Sequence, residues 1–196
     1  NVKRMLAYSS IAHTGYMLVG LAAYADGQIE GLEGLLFYSA AYAFMNLGAF
    51  AVVAALQKRP GVTSRLETFA GLGRREPLLG ILMVLFLLSL TGIPPTAGFF
   101  AKAYVILAAV QGGGWLTLLA VIAVLNAAAA AFYYLRVVVY MYMRDPQADS
   151  APVGHGALLR LGLAVTAVMT VALGLLPGPF LESVGEAAQA LGAALP

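Results

Sequence analysis

The chain has 196 residues, of which 61% are hydrophobic and only 10% charged. An ordinary soluble domain is roughly half apolar and about a quarter charged, so this chain cannot cover a globular surface with solvated groups and most of it must be solvated by lipid. A net charge of +2, with no basic run longer than two residues, gives no basis for a nucleic-acid partner, and the absence of cysteine excludes disulfides, thiolate metal sites and iron–sulfur ligation in this stretch.

The sequence opens on Asn1-Val2-Lys3-Arg4 without an initiator methionine. That basic pair leads straight into a full apolar run with no small-residue cleavage site, which reads as a cut inside a longer protein and not as a secretory signal. About 20 apolar residues are needed to cross ~30 Å of hydrocarbon as a helix. The first such segment covers residues 5–24 and is followed by an acidic, glycine-containing connection. The second covers 35–56 and ends at Gln57-Lys58-Arg59-Pro60-Gly61, where a polar stretch extends to Pro77.

The third apolar region, 78–110, would make a straight helix of ~50 Å at ~1.5 Å per residue, too long for one membrane. It contains Gly92-Ile93-Pro94-Pro95-Thr96-Ala97-Gly98. Pro95 has no N–H to donate, and its ring pushes Pro94 out of helical geometry. Two half-helices joined by an unwound stretch over 92–98 fit both length and chemistry. Gln111-Gly112-Gly113-Gly114 then turns the chain into a fourth segment, 115–143, and a loop leads to a fifth, 157–176, closed by Pro177-Gly178-Pro179. The tail from Phe180 is mildly amphipathic, as an interfacial helix would be. The expectation is an all-α membrane protein, one bundle of about five spans with the third discontinuous.

With five alternating spans, ten of the eleven basic residues fall on the side of the N-terminus: Lys3, Arg4, Lys58, Arg59, Arg65, Arg74, Arg75, Arg136, Arg144 and Arg160. The positive-inside rule puts that side in the cytoplasm. Tyr140, Tyr142 and Arg144 read as an anchor at its edge. The remaining basic residue is Lys102, about ten residues from the Gly112 turn and hence ~15 Å from the far boundary, near the bilayer midplane. A lysine there costs ~2.5–3.5 kcal/mol or more and cannot easily snorkel to water. Two readings follow: a protonatable relay, or a structural lysine pairing with backbone carbonyls at the break.

Unwound backbone in a membrane must be buried in protein or line a cavity, and transporters place ion sites at such breaks. Thr91 and Thr96 flank it and can satisfy freed backbone groups or hold water; the plain alternative is a proline kink. His13 lies mid-way along the first segment, with Ser9 and Ser10 on the same helical face, and suits either a proton wire or an interhelical hydrogen bond. The other histidine, His155, is too distant in sequence to suggest a shared metal site. Tyr38, Tyr42 and Asn46 form a polar stripe on the second segment, as do Asn126, Tyr133 and Tyr134 on the fourth. Such stripes serve packing between helices more often than chemistry. Every Asp and Glu falls in a loop or tail on this reading, leaving Lys102 no carboxylate partner inside a span. No phosphate-binding glycine loop or nucleophile motif is present.

Asn1-Val2-Lys3-Arg4-Met5-Leu6-Ala7-Tyr8-Ser9-Ser10-Ile11-Ala12-His13-Thr14-Gly15-Tyr16 resembles the signature of the antiporter-like, proton-pumping membrane subunits of respiratory complex I. The stretch from Ser89 to Val105 resembles the broken helix in their second half, and its Ala101-Lys102-Ala103-Tyr104-Val105 ending is most similar to the N branch, since the M branch typically has a glutamate where Lys102 stands. The resemblance covers the whole chain, as roughly the last five of fourteen family helices. It implies the second of two inverted repeats and a central row of proton-carrying lysines. Lys102 would then serve the half-channel that opens to the non-cytoplasmic side. His13 matches a signature histidine; where some relatives carry a second-span histidine, this chain has Tyr42. Ser9, Tyr42, Asn46, Asn126 and Tyr133 would line the path. No cofactor is implied in this chain; NADH, FMN, iron–sulfur clusters and quinone are expected in partner subunits. The implied partners are other membrane subunits, antiporter-like neighbours among them, within a bacterial inner membrane. Multi-subunit cation/proton antiporters and related redox-driven pumps share these motifs and form the alternative.

Overall fold

In hydrocarbon no water is available to backbone polar groups, so a spanning segment pairs its own N–H and C=O groups as a helix. The computed structural model describes residues 1–57, 63–145 and 156–194; Lys58, Arg59 and His155 lie outside them. Among the described residues there are helices and no strand. α1 (Val2–Ala25) and α2 (Ile29–Gln57) form a hairpin, and a 3-10 turn (Leu66–Phe69) and the single turn α3 (Leu72–Arg75) lead to α4 (Pro77–Thr91). There follow α5 (Ala97–Gly112), α6 (Gly114–Met143), α7 (Ala157–Leu175) and α8 (Pro177–Ala194).

Three boundaries differ from the sequence expectation. The first connection is only Asp26, Gly27 and Gln28, because α2 begins at Ile29. Glu30 and Glu33 therefore sit in its first turns, and Glu30 faces the positive end of the helix dipole. Gly27 takes the positive φ, 97°, that this tight connection needs. Part of the 57–77 stretch is helical, and Pro177 opens α8 as well as following α7, because a helix's first turn has no use for the missing proline N–H.

α2, α6 and α7 are each long and apolar enough to cross a bilayer, and α4 and α5 are shorter apolar helices on either side of the break. The faces are inverted relative to a water-soluble protein. Large apolar side chains such as Leu47, Ile81, Leu107, Leu125, Phe132 and Leu158 point outward, whereas Ser9, His13, Ser89, Thr91, Lys102 and Thr170 are buried. That is the arrangement expected when lipid solvates the outside and only the interior can satisfy polar groups.

α2 occupies the centre, packed against α1, α4, α5, α7 and α8. Close backbone approach around the break depends on glycine. A Cβ on Gly98 of α5 would overlap the Ser89 carbonyl of α4, and one on Gly174 of α7 would lie 2.6 Å from the Pro95 carbonyl oxygen. Overpacking a well-filled interior costs about 1–3 kcal/mol, and here the obstacle is backbone that cannot swing aside. Gly98→Ala should therefore lower the thermal unfolding temperature of the detergent-purified full chain. Gly15→Ala, with nothing within 4 Å of the new methyl group, should leave it unchanged or slightly raised. Equal unfolding temperatures for the two variants would contradict this packing.

Candidate functional site

The interruption between α4 and α5 leaves the last four carbonyls of α4 without helical partners. Gly92, at φ 89°, turns the chain so that its own N–H reaches the Leu88 and Ser89 carbonyls at 3.0 Å, and the Ile93 N–H also reaches Leu88. The Leu90 and Thr91 carbonyls remain. Each accepts a hydrogen bond from the Lys102 ammonium at 2.8 Å. The lysine sits early in α5 and reaches back across the break, closing the hydrogen-bond account of the half-helix it faces. Gly92 is again needed here, since a Cβ would lie 3.1 Å from Lys102 Cδ and 3.4 Å from Nζ.

Lys102 is only 6% exposed. Besides the two carbonyls, its Nζ lies 5.2 Å from the centroid of the Tyr16 ring, within range of a cation–π contact. The negative end of the α4 dipole points at the same ammonium. Among the described residues no carboxylate pairs with it. The structural alternative raised by the sequence, a lysine bonded to carbonyls at the break, is thus its observed geometry.

The rest of the break is arranged around it. Thr91 Oγ1 donates back to Leu87 O at 2.7 Å, so its hydroxyl serves its own helix. Thr96 Oγ1 is buried with no partner among the described residues. Pro94 and Pro95, joined by a cis peptide bond, are exposed on the surface of the bundle, and neither brings an N–H that would need a partner there. Ser89 joins the two half-helices: its Oγ accepts from the Gly98 N–H at 3.1 Å and donates to Met45 Sδ.

A second cluster surrounds His13, buried at 2% exposure. Its Nδ1 lies 2.8 Å from the Tyr38 hydroxyl, its Nε2 lies 3.3 Å from the Tyr134 hydroxyl, and its ring stacks on Tyr42 with centroids 4.7 Å apart. Tyr134 also bonds Ser9, and Tyr42 donates to Ser10 Oγ at 2.7 Å. Both ring nitrogens thus meet hydroxyl groups, which can donate or accept. Either tautomer of the neutral imidazole is satisfied without moving a heavy atom.

Tyr16 bridges the two clusters. Its ring lies beneath Lys102, stacks on Tyr38 with centroids 6.1 Å apart, and meets His13 edge-on at 5.9 Å, while its hydroxyl accepts from Asn126 Nδ2 at 3.2 Å. Asn46 does not join either cluster, and its Oδ1 is buried without a partner among the described residues. Tyr133 packs against Tyr134 and lines a cavity of about 200 Å³ near the N-terminus, together with Met5, Leu66 and Arg136. Sequence reasoning did not single out Tyr16 or Ser89. Tyr16 follows His13 by three residues and so shares its helical face, a usable signal. Ser89 bonds across the break, where no periodicity applies.

The family model described as NADH:quinone oxidoreductase/Mrp antiporter, transmembrane, matches residues 1–126. NADH-quinone oxidoreductase subunit N of Chloroflexus aggregans is 45% identical over 192 residues, which is 98% of this chain and 38% of that protein. The chain therefore spans about two fifths of the length of this relative. Among solved structures, respiratory complex I from Thermus thermophilus with bound aureothin contains a similar chain at 34% identity and a TM-score of 0.75, covering 93% of this chain and 40% of the other. The Mrp complex from Dietzia sp. DQ12-45-1b contains another at 26% identity and a TM-score of 0.79, with 93% and 41% covered. With the family model matched over more than half of this chain, the chain belongs to the NADH:quinone oxidoreductase/Mrp antiporter family of membrane subunits.

Proposed function

We propose that the chain forms the second half of a proton-translocating membrane subunit of an NADH-quinone oxidoreductase, with Lys102 as a proton carrier and His13 as a relay. The observation that supports it most is a lysine held at a helix break by two backbone carbonyls and an aromatic face, with no carboxylate to fix its charge among the described residues. The ammonium releases one proton to become a neutral amine and later regains one; the carbonyls can hold the two hydrogens that remain. Moving a charge through 100 mV costs ~2.3 kcal/mol, and the energy would come from electron transfer between NADH and quinone in partner subunits, which hold the NADH, FMN, iron–sulfur and quinone sites. This chain binds no cofactor on this reading. It would lie in a bacterial inner membrane beside other antiporter-like subunits, with its arginine-bearing connections cytoplasmic.

Lys102→Ala should reduce coupled proton transport at least about tenfold, equivalent to ~1.4 kcal/mol on the limiting step, in proteoliposomes of the complete complex. Pumping at the wild-type rate would overturn the relay. For His13 the informative pair is Leu and Gln. Leucine strands the Tyr38 hydroxyl, a loss of about 1–3 kcal/mol for a buried group left unsatisfied, while Tyr134 keeps its bond to Ser9. Glutamine can bond to both but cannot pick up a proton. A relay predicts lost transport in both variants, whereas normal transport in His13→Gln would make His13 a packing residue.

The likeness to an Mrp complex favours a second reading, a subunit of a multi-subunit cation/proton antiporter. The 45% identity to a subunit N argues for the first. The two separate in one assay: a sodium gradient alone drives proton flux through an antiporter and does not through the oxidoreductase subunit.

A further inference from the structure

We propose that Tyr16 is a gate between Lys102 and the His13 chain: held by Asn126, its ring keeps Lys102 docked on the helix-break carbonyls, and its displacement joins the two. The inference rests on the relay reading of Lys102 and goes beyond it by naming the residue that interrupts the path.

An ammonium has three N–H groups. Lys102 gives two of them to Leu90 and Thr91 and turns a third side to the face of Tyr16. On the other side, the hydroxyl–imidazole chain runs from Ser9 through Tyr134 and His13 to Tyr38. Among the described residues no hydrogen bond connects that chain to Lys102. The residue that touches both is Tyr16, by its ring face toward the lysine and by stacking on Tyr38. A π-face attracts a cation but offers no lone pair that carries a proton onward. Tyr16 is 3% exposed. In this arrangement it separates two proton-carrying groups.

The hold on Tyr16 comes from elsewhere. Lys102 lies on α5 and His13 on α1, whereas the Asn126 amide that bonds the Tyr16 hydroxyl lies on α6. A shift of α6 against α1 would break that bond and free the ring to turn, without disturbing the Lys102 carbonyl bonds directly. Side-chain gating of this kind needs only two arrangements with a modest difference in stability. The same helix carries Tyr134, which links Ser9 to His13 in that chain, so one element bears both the tether and a relay hydroxyl.

The test uses the complete complex in proteoliposomes, measuring protons moved per electron and passive proton conductance under an imposed membrane potential. Tyr16→Ala should lower the proton-to-electron ratio by about twofold or more and raise passive conductance, because a removed gate lets protons cross uncoupled. Tyr16→Phe, which keeps the ring and loses the Asn126 bond, should lie between that variant and wild type. Adding Lys102→Ala to Tyr16→Ala should remove the extra conductance. Wild-type ratio and conductance in Tyr16→Ala would overturn the gate. Should that variant fail to assemble, Asn126→Leu, which breaks the same bond as Tyr16→Phe, must show the same intermediate leak, and wild-type behaviour there overturns the gate equally. A wild-type ratio in Lys102→Ala alone would overturn relay and gate together, whereas loss in Lys102→Ala with normal Tyr16→Ala overturns the gate only.

Discussion

Two carbonyl oxygens at the end of a half-helix, those of Leu90 and Thr91, meet the ammonium of Lys102, and the surrounding arrangement follows from that meeting. A helix broken inside hydrocarbon leaves acceptors that water cannot satisfy, and a lysine at the same depth carries a charge that lipid cannot solvate. Each would be costly alone. Together they offset one another, which ties the break to the lysine as strongly as the prolines tie it to the sequence. Removing one partner strands the other, and a buried polar group left unpaired typically costs about 1–3 kcal/mol, more if it is charged.

The packing around this contact is set by how closely backbones approach. Gly92 gives room to the Lys102 stem, Gly98 lets α5 lie against the Ser89 carbonyl, and Gly174 lets α7 lie on the unwound stretch at Pro95. Because the half-helices are held by small residues and by Ser89, the ammonium has a fixed seat, while its aromatic neighbour Tyr16 stacks on Tyr38 and has one amide hydrogen bond at its hydroxyl. The His13 cluster adds a run of hydroxyl and imidazole groups whose roles can exchange in place.

Some of this was legible in the residues and some was not, for physical reasons. An apolar region of 33 residues containing Pro94-Pro95 is too long and too proline-rich for one straight helix, so the discontinuity follows from covalent chemistry. Lys102 stands out because topology accounts for the other ten basic residues. Carbonyls at the break could be named as partners of that lysine but not which ones, because which carbonyls a break exposes depends on the turn that Gly92 makes. Contacts between helices were the least legible. Tyr16 and Asn126 are 110 residues apart, and no periodicity within one helix shows which face meets which. The short first connection and the helical start at Pro177 were missed because acidic residues and prolines read as loop, although both suit a helix's first turn.

The central claim is that Lys102 works by exchanging a proton and not merely by carrying charge into the break. Lys102→Arg separates the two, because a guanidinium keeps the charge and the donors but does not deprotonate in proteins. The decisive measurement is the number of protons translocated per electron by the complete complex carrying this variant. Exchange at Lys102 predicts an assembled complex whose ratio falls to that of Lys102→Ala. A wild-type ratio in the arginine variant would show that a fixed positive charge suffices and would contradict the account.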